Sequence, residues 1–368
     1  MNSTNLSERI KAVTEGACFH SDSMAEKVTR IVLYCILIVL SLTGNTLVIV
    51  IVFRDKRMWK TVNYFIVNTS VAYLLLTLVY MPRVISMSYV GYEWLVDGDL
   101  GQFFCKAVCL NEVAITVSIF TIVAISADRF FAVVFPLRRI MTDRICKVVI
   151  VGIWLAAVSA AMPQFYGLEV RTYQGKNYCY LDLDKTFGEG SEKAFYLFQI
   201  TAIFGVPLSL LVILYSSILV SLLKRRNLPG NGLVKNDERL QRRDKTRRKV
   251  LKMVTIVVVT FVLSWLLYFL NFIFHSEGII LPCKLMFFRL FLAHFYCSVN
   301  PIIYYIFNSN FRQGFTHIIP GTNPCSNATG FSKKQKSCIV PHELRSFTIQ
   351  PAINKPSKKP SLTQVVSS

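Results

Sequence analysis

The residue types and spacings that usually carry out covalent chemistry are missing from this 368-residue chain. It has no His-Glu-x-x-His pair, no Gly-x-Ser-x-Gly nucleophile, no glycine-rich phosphate loop and no Cys/His spacing typical of zinc sites. Its ten cysteines are too sparse for a disulfide scaffold. The sequence therefore predicts a protein that is not an enzyme and needs neither a cofactor nor a metal.

One charged pair does stand out, because Asp128 and Arg129 end an otherwise apolar stretch. Charged side chains at a membrane helix are costly and usually functional. The alternative is that the arginine has no special function and only extends its charged group to the membrane surface. The composition points to a membrane, since 17% of the residues are charged against roughly 25% in soluble domains.

Seven runs of the chain are long enough to cross a bilayer. A helix needs about 20 apolar residues to cross a hydrocarbon core that is about 30 Å thick. One run, Ala107–Ala127, contains only Glu112 as a charge. The six uncharged runs are Ile31–Phe53, Thr61–Pro82, Val148–Leu168, Ala194–Leu223, Met253–Phe274 and Leu290–Phe311. Because backbone groups in lipid must bond to each other, the sequence predicts an all-α membrane protein with a seven-transmembrane helix bundle.

Lysine and arginine are concentrated in four segments, residues 54–60, 128–147, 224–252 and 308–368. These hold 29 of the 41 basic residues of the chain but 7 of its 21 acidic ones. Loops rich in basic residues stay on the cytoplasmic side, so the N-terminus should lie outside the cell. The same distribution argues against nucleic acid as a partner. Glycosylation sequons at Asn2 and Asn5 would then face the exterior.

Eight short motifs occur in the order found in rhodopsin-like (class A) G-protein-coupled receptors, which the chain resembles over about residues 28–320. Each motif alone is weak, but together they cover the expected segments. They are Gly44-Asn45, Asp128-Arg129-Phe130, Pro136-Leu137, Trp154, Pro207 with Tyr215, Phe261 with Ser264-Trp265, Asn300-Pro301 with Tyr304, and Asn310-Phe311-Arg312. The chain is most similar to the neuropeptide receptors of this family.

The resemblance implies seven spans with a short amphipathic eighth helix, an extracellular peptide ligand and a cytoplasmic heterotrimeric G protein. It implies that Arg129 pairs locally at rest, then reaches the G protein and approaches Tyr215 when the inner helix ends part. Pro207 and Pro301 remove backbone hydrogen bonds and predict kinks, for which packing alone is the alternative. The implied switch residues are Asp128, Arg129, Pro136, Leu137, Tyr215, Trp265, Asn300, Pro301 and Tyr304.

The resemblance also implies a disulfide between Cys105, at the start of the third span, and Cys179 in the Glu169–Lys193 loop. Cys109 is a rival partner for Cys179. Cys105 lies one residue closer to Arg129 than is usual in the family. This spacing indicates a deletion near the outer end of the third span.

Other features concern the two ends of the chain. Cys18 and Cys283 form a possible second bridge, with unpaired thiols as an equal alternative, and Cys325 is a candidate for palmitoylation. The predicted domains are an extracellular segment (1–27), the receptor domain (28–320) and a disordered cytoplasmic tail (321–368). Serines and threonines in that tail predict arrestin as a further partner, after phosphorylation.

The pocket positions disfavour two ligand classes of the family. Asn111 stands where amine receptors have an aspartate, and His294 stands where retinal proteins have a lysine. The facing positions give a polar and aromatic lining with one cation, which suits a peptide. A small organic or lipid ligand is the alternative, and each residue singly could pack or face lipid. The candidate ligand-binding residues are Asn111, Gln164, Gln199, Tyr268, Asn271, Phe272, Arg289 and His294.

Three departures from the family pattern bear on signalling. Tyr73 replaces an aspartate that forms a sodium site with partners matching Ser118 and Asn300, so sodium should not bind there at the usual strength. Leu267 replaces the proline that kinks the sixth span, and Ser264 is a milder change from cysteine. Because of these changes, a scavenger that has the same fold but impaired signalling is an alternative function. A transporter is disfavoured because no inverted repeat is visible.

Overall fold

The computed structural model describes residues 22–135, 140–226, 238–277, 279 and 281–318. Within these residues, seven helices are long and apolar enough to cross a membrane. We number them first to seventh span in chain order, and they confirm the predicted seven-helix bundle. They run over Met24–Arg54, Thr61–Val90, Gly98–Val134, Asp143–Gly167, Ser191–Ser221, Val254–Phe274 and Lys284–Phe307.

Several spans contain more than one helical segment. The second is divided into Thr61–Val79 and Met81–Val90, and the third into Gly98–Ala107 and Leu110–Val134. The break in the third span lies near its outer end, where the sequence indicates a deletion. The fifth consists of Ser191–Phe198, a π-helical turn Gln199–Gly205, and Val206–Arg226 with Pro207 in its first turn.

The last helices run without internal breaks. The sixth helix extends over Glu238–Ser276 and includes Leu267. The seventh extends over Cys283–Phe307 and includes Pro301. Ser309–Ile318 forms the predicted eighth helix. Two short helices, Lys56–Met58 and Leu183–Phe187, lie in the connections.

The second span continues past Pro82 to Val90, so its apolar run underestimated its length. Arg83 is accommodated because its guanidinium donates hydrogen bonds to the backbone carbonyls of Tyr92 and Glu93, at 2.9 and 3.0 Å. It also lies 4.8 Å from the centre of the Trp94 ring. A charge that would be costly in lipid is thus paired inside the protein.

A two-stranded antiparallel sheet follows the fourth span, and the sequence did not predict it. Strand β1 covers Leu168–Tyr173 and strand β2 covers Lys176–Leu181. Gln174 and Gly175 form the two-residue turn with φ angles of 50° and 75°. Positive φ at both positions is the requirement of the turn that best matches the twist of a hairpin.

The third span lies at the centre of the bundle, where it packs against the second, fourth and fifth spans. Its central part is 72% buried, whereas that of the fourth span is 22% buried. The interior also holds polar side chains that bond to one another across the helices. Asn68 Nδ2 donates to Thr121 Oγ1 at 2.8 Å, and Trp154 Nε1 donates to Asn68 Oδ1 at 2.8 Å. Such bonds join helices where lipid supplies no hydrophobic drive for association.

Gly44 allows the first span to approach the proline of the seventh span closely. A Cβ added at Gly44 would lie 2.9 Å from Pro301 Cγ. Gly44→Ala should therefore overpack this contact and destabilise the bundle by about 1–3 kcal/mol. Thermal unfolding of the detergent-solubilised protein measures the effect. Gly152→Ala is the matched control, since no atom lies within 4 Å of its added Cβ. Equal unfolding temperatures for the two variants would contradict the role of Gly44.

Candidate functional site

The two ends of the third span carry the two groups that the sequence singled out. Cys105, at its beginning, forms a disulfide with Cys179 of β2, with their Cα atoms 5.5 Å apart. Asp128 and Arg129 lie near the other end of the same span. We call the first the disulfide end of the bundle and the second the arginine end. Cys109, the rival partner, is a buried free thiol, so the expected pairing of Cys105 is confirmed.

The hairpin is held over the disulfide end by more than its disulfide. The Gln102 side chain donates to the carbonyl of Leu168 and accepts from the amide of Val170, at 3.1 and 2.9 Å. Burial alone raises the pKa of the Glu169 carboxyl, but hydrogen bonds from Arg171 and Lys185 leave that pKa below its usual value. The hairpin therefore presents a fixed, ion-paired surface at this end.

Four of the expected ligand-binding residues meet at the disulfide end, around one tyrosine. Asn111 Nδ2 donates to the Tyr268 hydroxyl at 3.5 Å. The Phe272 ring lies edge-on to the Tyr268 ring at 5.4 Å, and the Arg289 guanidinium lies 5.5 Å from the centre of that ring. The third, sixth and seventh spans thus converge on Tyr268.

Glu112 also belongs to this group, although the sequence reasoning did not place it among the ligand-binding residues. The Tyr268 hydroxyl donates to Glu112 Oε1 at 2.7 Å, and Glu112 is 4% exposed. We call Asn111, Glu112, Tyr268, Phe272 and Arg289 the Tyr268 cluster. A signal was present in the sequence, because Glu112 is the one charge in its apolar run.

The other expected ligand-binding residues are not bonded to the Tyr268 cluster in the described part of the chain. His294 is buried, and its Nδ1 lies 3.0 Å from the Tyr34 hydroxyl of the first span. Gln199 is buried in the π-helical turn, Gln164 is half-buried near the end of the fourth span, and Asn271 is half-buried on the sixth span. The role of these four residues in binding stays a prediction.

A stack of aromatic rings leads from the Tyr268 cluster into the bundle. The centre of the Trp265 ring lies 5.4 Å from that of Tyr268 and 6.4 Å from that of Phe261. The ring centres of Phe261 and Tyr296 are 5.7 Å apart. Trp265 is 1% exposed. Because close-packed rings cannot move singly, a ligand that displaces Tyr268 can shift Trp265 and its neighbours.

Tyr73 occupies the centre of the bundle and bonds to both partners that the sequence analysis named. Its hydroxyl lies 2.8 Å from Ser118 Oγ and accepts from Asn300 Nδ2 at 3.2 Å. The side chain is 1% exposed. The phenol thus bonds directly to polar groups of the third and seventh spans.

Sodium should therefore have no effect on the stability of this protein. We expect the purified chain to unfold at the same temperature in sodium chloride and in choline chloride of equal ionic strength. Tyr73→Asp replaces the neutral phenol with a carboxylate beside Ser118 and Asn300, so its unfolding temperature should rise with sodium. Stabilisation of the unmodified chain by sodium would show that the phenol does not replace an ion.

At the arginine end, the Arg129 guanidinium pairs with the neighbouring Asp128 carboxylate. Asp128 is buried, and its Oδ1 accepts a hydrogen bond from Thr61 Oγ1 at 3.3 Å. Phe130, which replaces the usual tyrosine, packs against Val133 and against Ile218 of the fifth span. This local pairing is the arrangement expected of Arg129 at rest.

The remaining switch residues lie between the centre of the bundle and the arginine end. Tyr215 is half-buried on the fifth span and packs against the main core. Tyr304 is buried, with its ring 5.7 Å from that of Phe311 in the eighth helix.

Several predictions fall outside the described residues or side chains. They concern Asn2, Asn5, Cys18, Pro136, Leu137, Cys283 and Cys325.

Comparison with known sequences is consistent with this geometry. The family model described as 7 transmembrane receptor (rhodopsin family) matches residues 44–304. The substance-K receptor of Homo sapiens is 33% identical over 290 residues, which cover 77% of this chain and 70% of that protein. The substance-P receptor of Meriones unguiculatus is 31% identical over 292 residues, or 77% and 69% of the two chains. The RYamide receptor of Drosophila melanogaster is 29% identical over 308 residues, or 80% and 64%.

Proposed function

The chain belongs to the seven-transmembrane receptors of the rhodopsin family, and we propose that it is a plasma-membrane receptor for an extracellular peptide. On the cytoplasmic side it promotes nucleotide exchange on a heterotrimeric G protein. This proposal rests on one observation, which is that a single helix bundle holds two sites, one at each end. A polar and aromatic cluster lies at the disulfide end, and an Asp–Arg pair with a buried carboxylate lies at the arginine end.

The orientation follows from the charges and from the disulfide. The arginine end faces the cytosol because the segments rich in lysine and arginine connect the helices there. The disulfide end faces the oxidising exterior, where disulfides persist. The N-terminal segment, with Asn2 and Asn5 as glycosylation sites, then lies outside the cell.

The peptide class is supported by the chemistry of the Tyr268 cluster and by the relatives, which are neuropeptide receptors. The cluster offers a carboxylate, a guanidinium, an amide and two aromatic rings within one group of helices. Peptides present the complementary set of amides, charges and rings. Such a ligand shifts the receptor only by binding its active state more tightly than its resting state.

Activation requires the Asp128–Arg129 pair to separate so that Arg129 can contact the G protein. Movement of Tyr268 and Trp265 repacks the sixth span against the third, which opens the arginine end. Tyr215, on the fifth span, is the partner that Arg129 then approaches. No covalent bond is made or broken by the receptor at any step.

A screen of amidated and free peptides against membranes from cells expressing the chain tests the proposal. Nucleotide exchange on several G-protein subtypes is the measurement, and membranes from untransfected cells are the control. We expect at least one peptide to stimulate exchange in expressing membranes alone. A response only to amines or lipids would contradict the peptide assignment and favour a small-molecule receptor of the same fold.

The tail provides a separate test of arrestin as a partner. Truncation after residue 320 removes the serines and threonines that phosphorylation would modify. We expect the truncated receptor to stimulate exchange normally but to recruit arrestin poorly. Normal recruitment would exclude the tail as the arrestin site. The bounds 1–27, 28–320 and 321–368 stay part of this proposal, as do palmitoylation of Cys325 and contact with membrane lipid.

A further inference from the structure

The Glu112 carboxylate has fewer hydrogen bonds than its burial calls for. Glu112 is 4% exposed, and Oε1 accepts one bond from the Tyr268 hydroxyl at 2.7 Å. Oε2 is buried without a partner among the described residues, and so is the amide oxygen of the neighbouring Asn111. A carboxylate accepts about four hydrogen bonds when ionised. Most of its accepting capacity is therefore directed at something that the described chain does not supply.

A buried carboxylate with one oxygen unpaired is costly, and a donor from an external partner would offset that cost. Burial of an unpaired charge costs several kcal/mol or shifts the group to its neutral form. An ionisable residue inside a membrane helix is by default a functional group. The missing partner must supply N–H or O–H donors and, for full compensation, a positive charge.

Arg289 is the nearby cation of the cluster, but its guanidinium is turned elsewhere. It lies over the Tyr268 ring, 5.5 Å from the ring centre, and its Nε points to the Met286 sulfur at 3.3 Å. Tyr268 thus stands between an acidic group on the third span and a basic group on the seventh. Two opposite charges held apart in this way can each receive a different part of a ligand.

We propose that Glu112 binds the guanidinium of an arginine residue in the ligand, and this rests on the proposed function that the ligand is a peptide. A guanidinium carries five N–H donors in a planar fork that matches a carboxylate with two parallel bonds. Its further N–H groups reach the amide oxygen of Asn111. The side-chain oxygens of Gln164 and Gln199 are also buried without partners among the described residues.

An ammonium group fits these acceptors less well than a guanidinium does. A lysine or terminal amine is a compact point charge with three donors, whereas several acceptors here lie on adjacent residues of one helix. Lysine peptides should consequently bind more weakly than arginine peptides. The carboxyl or aromatic groups of the same peptide would then contact Arg289 and Phe272.

The test uses two matched mixtures of short amidated peptides and the full-length receptor in cell membranes. Each mixture is random except at one fixed position. The experiment is repeated with that position moved along the peptide. That position holds arginine in one mixture and citrulline, its neutral analogue, in the other. Nucleotide exchange and competition binding are measured for the unmodified chain and for Glu112→Gln, Glu112→Asp and Glu93→Gln.

We expect the unmodified receptor to prefer the arginine mixture by at least about ten-fold in potency, the loss typical when one partner of a buried charge pair is removed. Glu112→Gln should abolish that preference, so that the arginine and citrulline mixtures act with equal potency on this variant. Glu112→Asp keeps the charge and should retain most of the preference. Glu93→Gln removes a carboxylate that pairs with Lys176 at the surface, so it should leave the preference unchanged.

Three outcomes would overturn the proposal. If Glu112→Gln keeps the preference, the carboxyl is neutral or pairs with Arg289, because glutamine matches the shape of the neutral acid. If Glu93→Gln removes the preference, diffuse surface attraction explains it. If the receptor responds equally to both mixtures, the arginine proposal fails while the peptide-receptor function stands. Surface expression of each variant, measured alongside, separates a loss of binding from a loss of folding.

Discussion

Replacing Arg129 with alanine is expected to abolish nucleotide exchange on the G protein while ligand affinity stays nearly unchanged. The Arg129 guanidinium bonds to the side chain of its own neighbour, Asp128, and to no other helix in the described part of the chain. Its removal therefore breaks no hydrogen bond between the described spans. Asp128 keeps the hydrogen bond from Thr61. The variant should fold, reach the surface and bind its peptide, but it lacks the cation that contacts the G protein.

The measurement pairs radioligand or fluorescent peptide binding with nucleotide exchange in the same membranes. Arg57→Ala is a suitable control, because Arg57 also lies at the arginine end but pairs with Asp55 at the surface, with 75% of its side chain exposed. Exposed ion pairs contribute little, typically less than about 1 kcal/mol. Exchange should survive in this control. Full exchange in Arg129→Ala would refute the coupling role of the residue.

The second large effect is expected at the disulfide. Cys105→Ala releases Cys179 and with it β2, the strand that closes the disulfide end. Loss of a native disulfide typically costs about 2–5 kcal/mol. The disulfide also fixes the hairpin beside the Tyr268 cluster, so both surface expression and peptide binding should fall strongly.

Cys109→Ala provides the control, since Cys109 lies one turn further along the chain and is a buried free thiol. It removes a sulfur from the same apolar group of side chains without breaking a covalent link. Antibody staining of intact cells and peptide saturation binding measure both variants. Cys109→Ala should stay close to the unmodified chain. Equal losses in the two variants would mean that packing, rather than the covalent bond, accounts for the effect.

The number and order of the spans could be predicted because lipid imposes a simple rule on the chain. Runs of about 20 apolar residues are required to cross it, and such runs are visible without any tertiary information. The Cys105–Cys179 pairing and the local pairing of Arg129 were predicted from the resemblance, and the structure has both. Tyr73 was predicted to weaken sodium binding. That stays a prediction, and the structure shows the Tyr73 hydroxyl bonded to Ser118 and Asn300, the two residues named with it.

Other features depend on pairs of residues far apart in the sequence, and no local pattern predicts which residues pair. Tyr268 and Glu112 are separated by 156 residues, and Tyr34 and His294 by 260. The length of the second span was underestimated because Arg83 is paired with carbonyls that lie beyond it. The hairpin was missed although β1 alternates apolar and polar residues over positions 168–171, because β2 lacks that alternation and gives no matching second strand.

The turn of that hairpin has a practical consequence. A Cβ at Gly175 would meet no atom within 4 Å, and both turn residues project away from the bundle. A dye attached at Gln174 would therefore move with a hairpin that is disulfide-bonded to the third span, and it would leave the seven helices unmodified. Its fluorescence would report, in living cells and in real time, how the hairpin moves when a ligand binds.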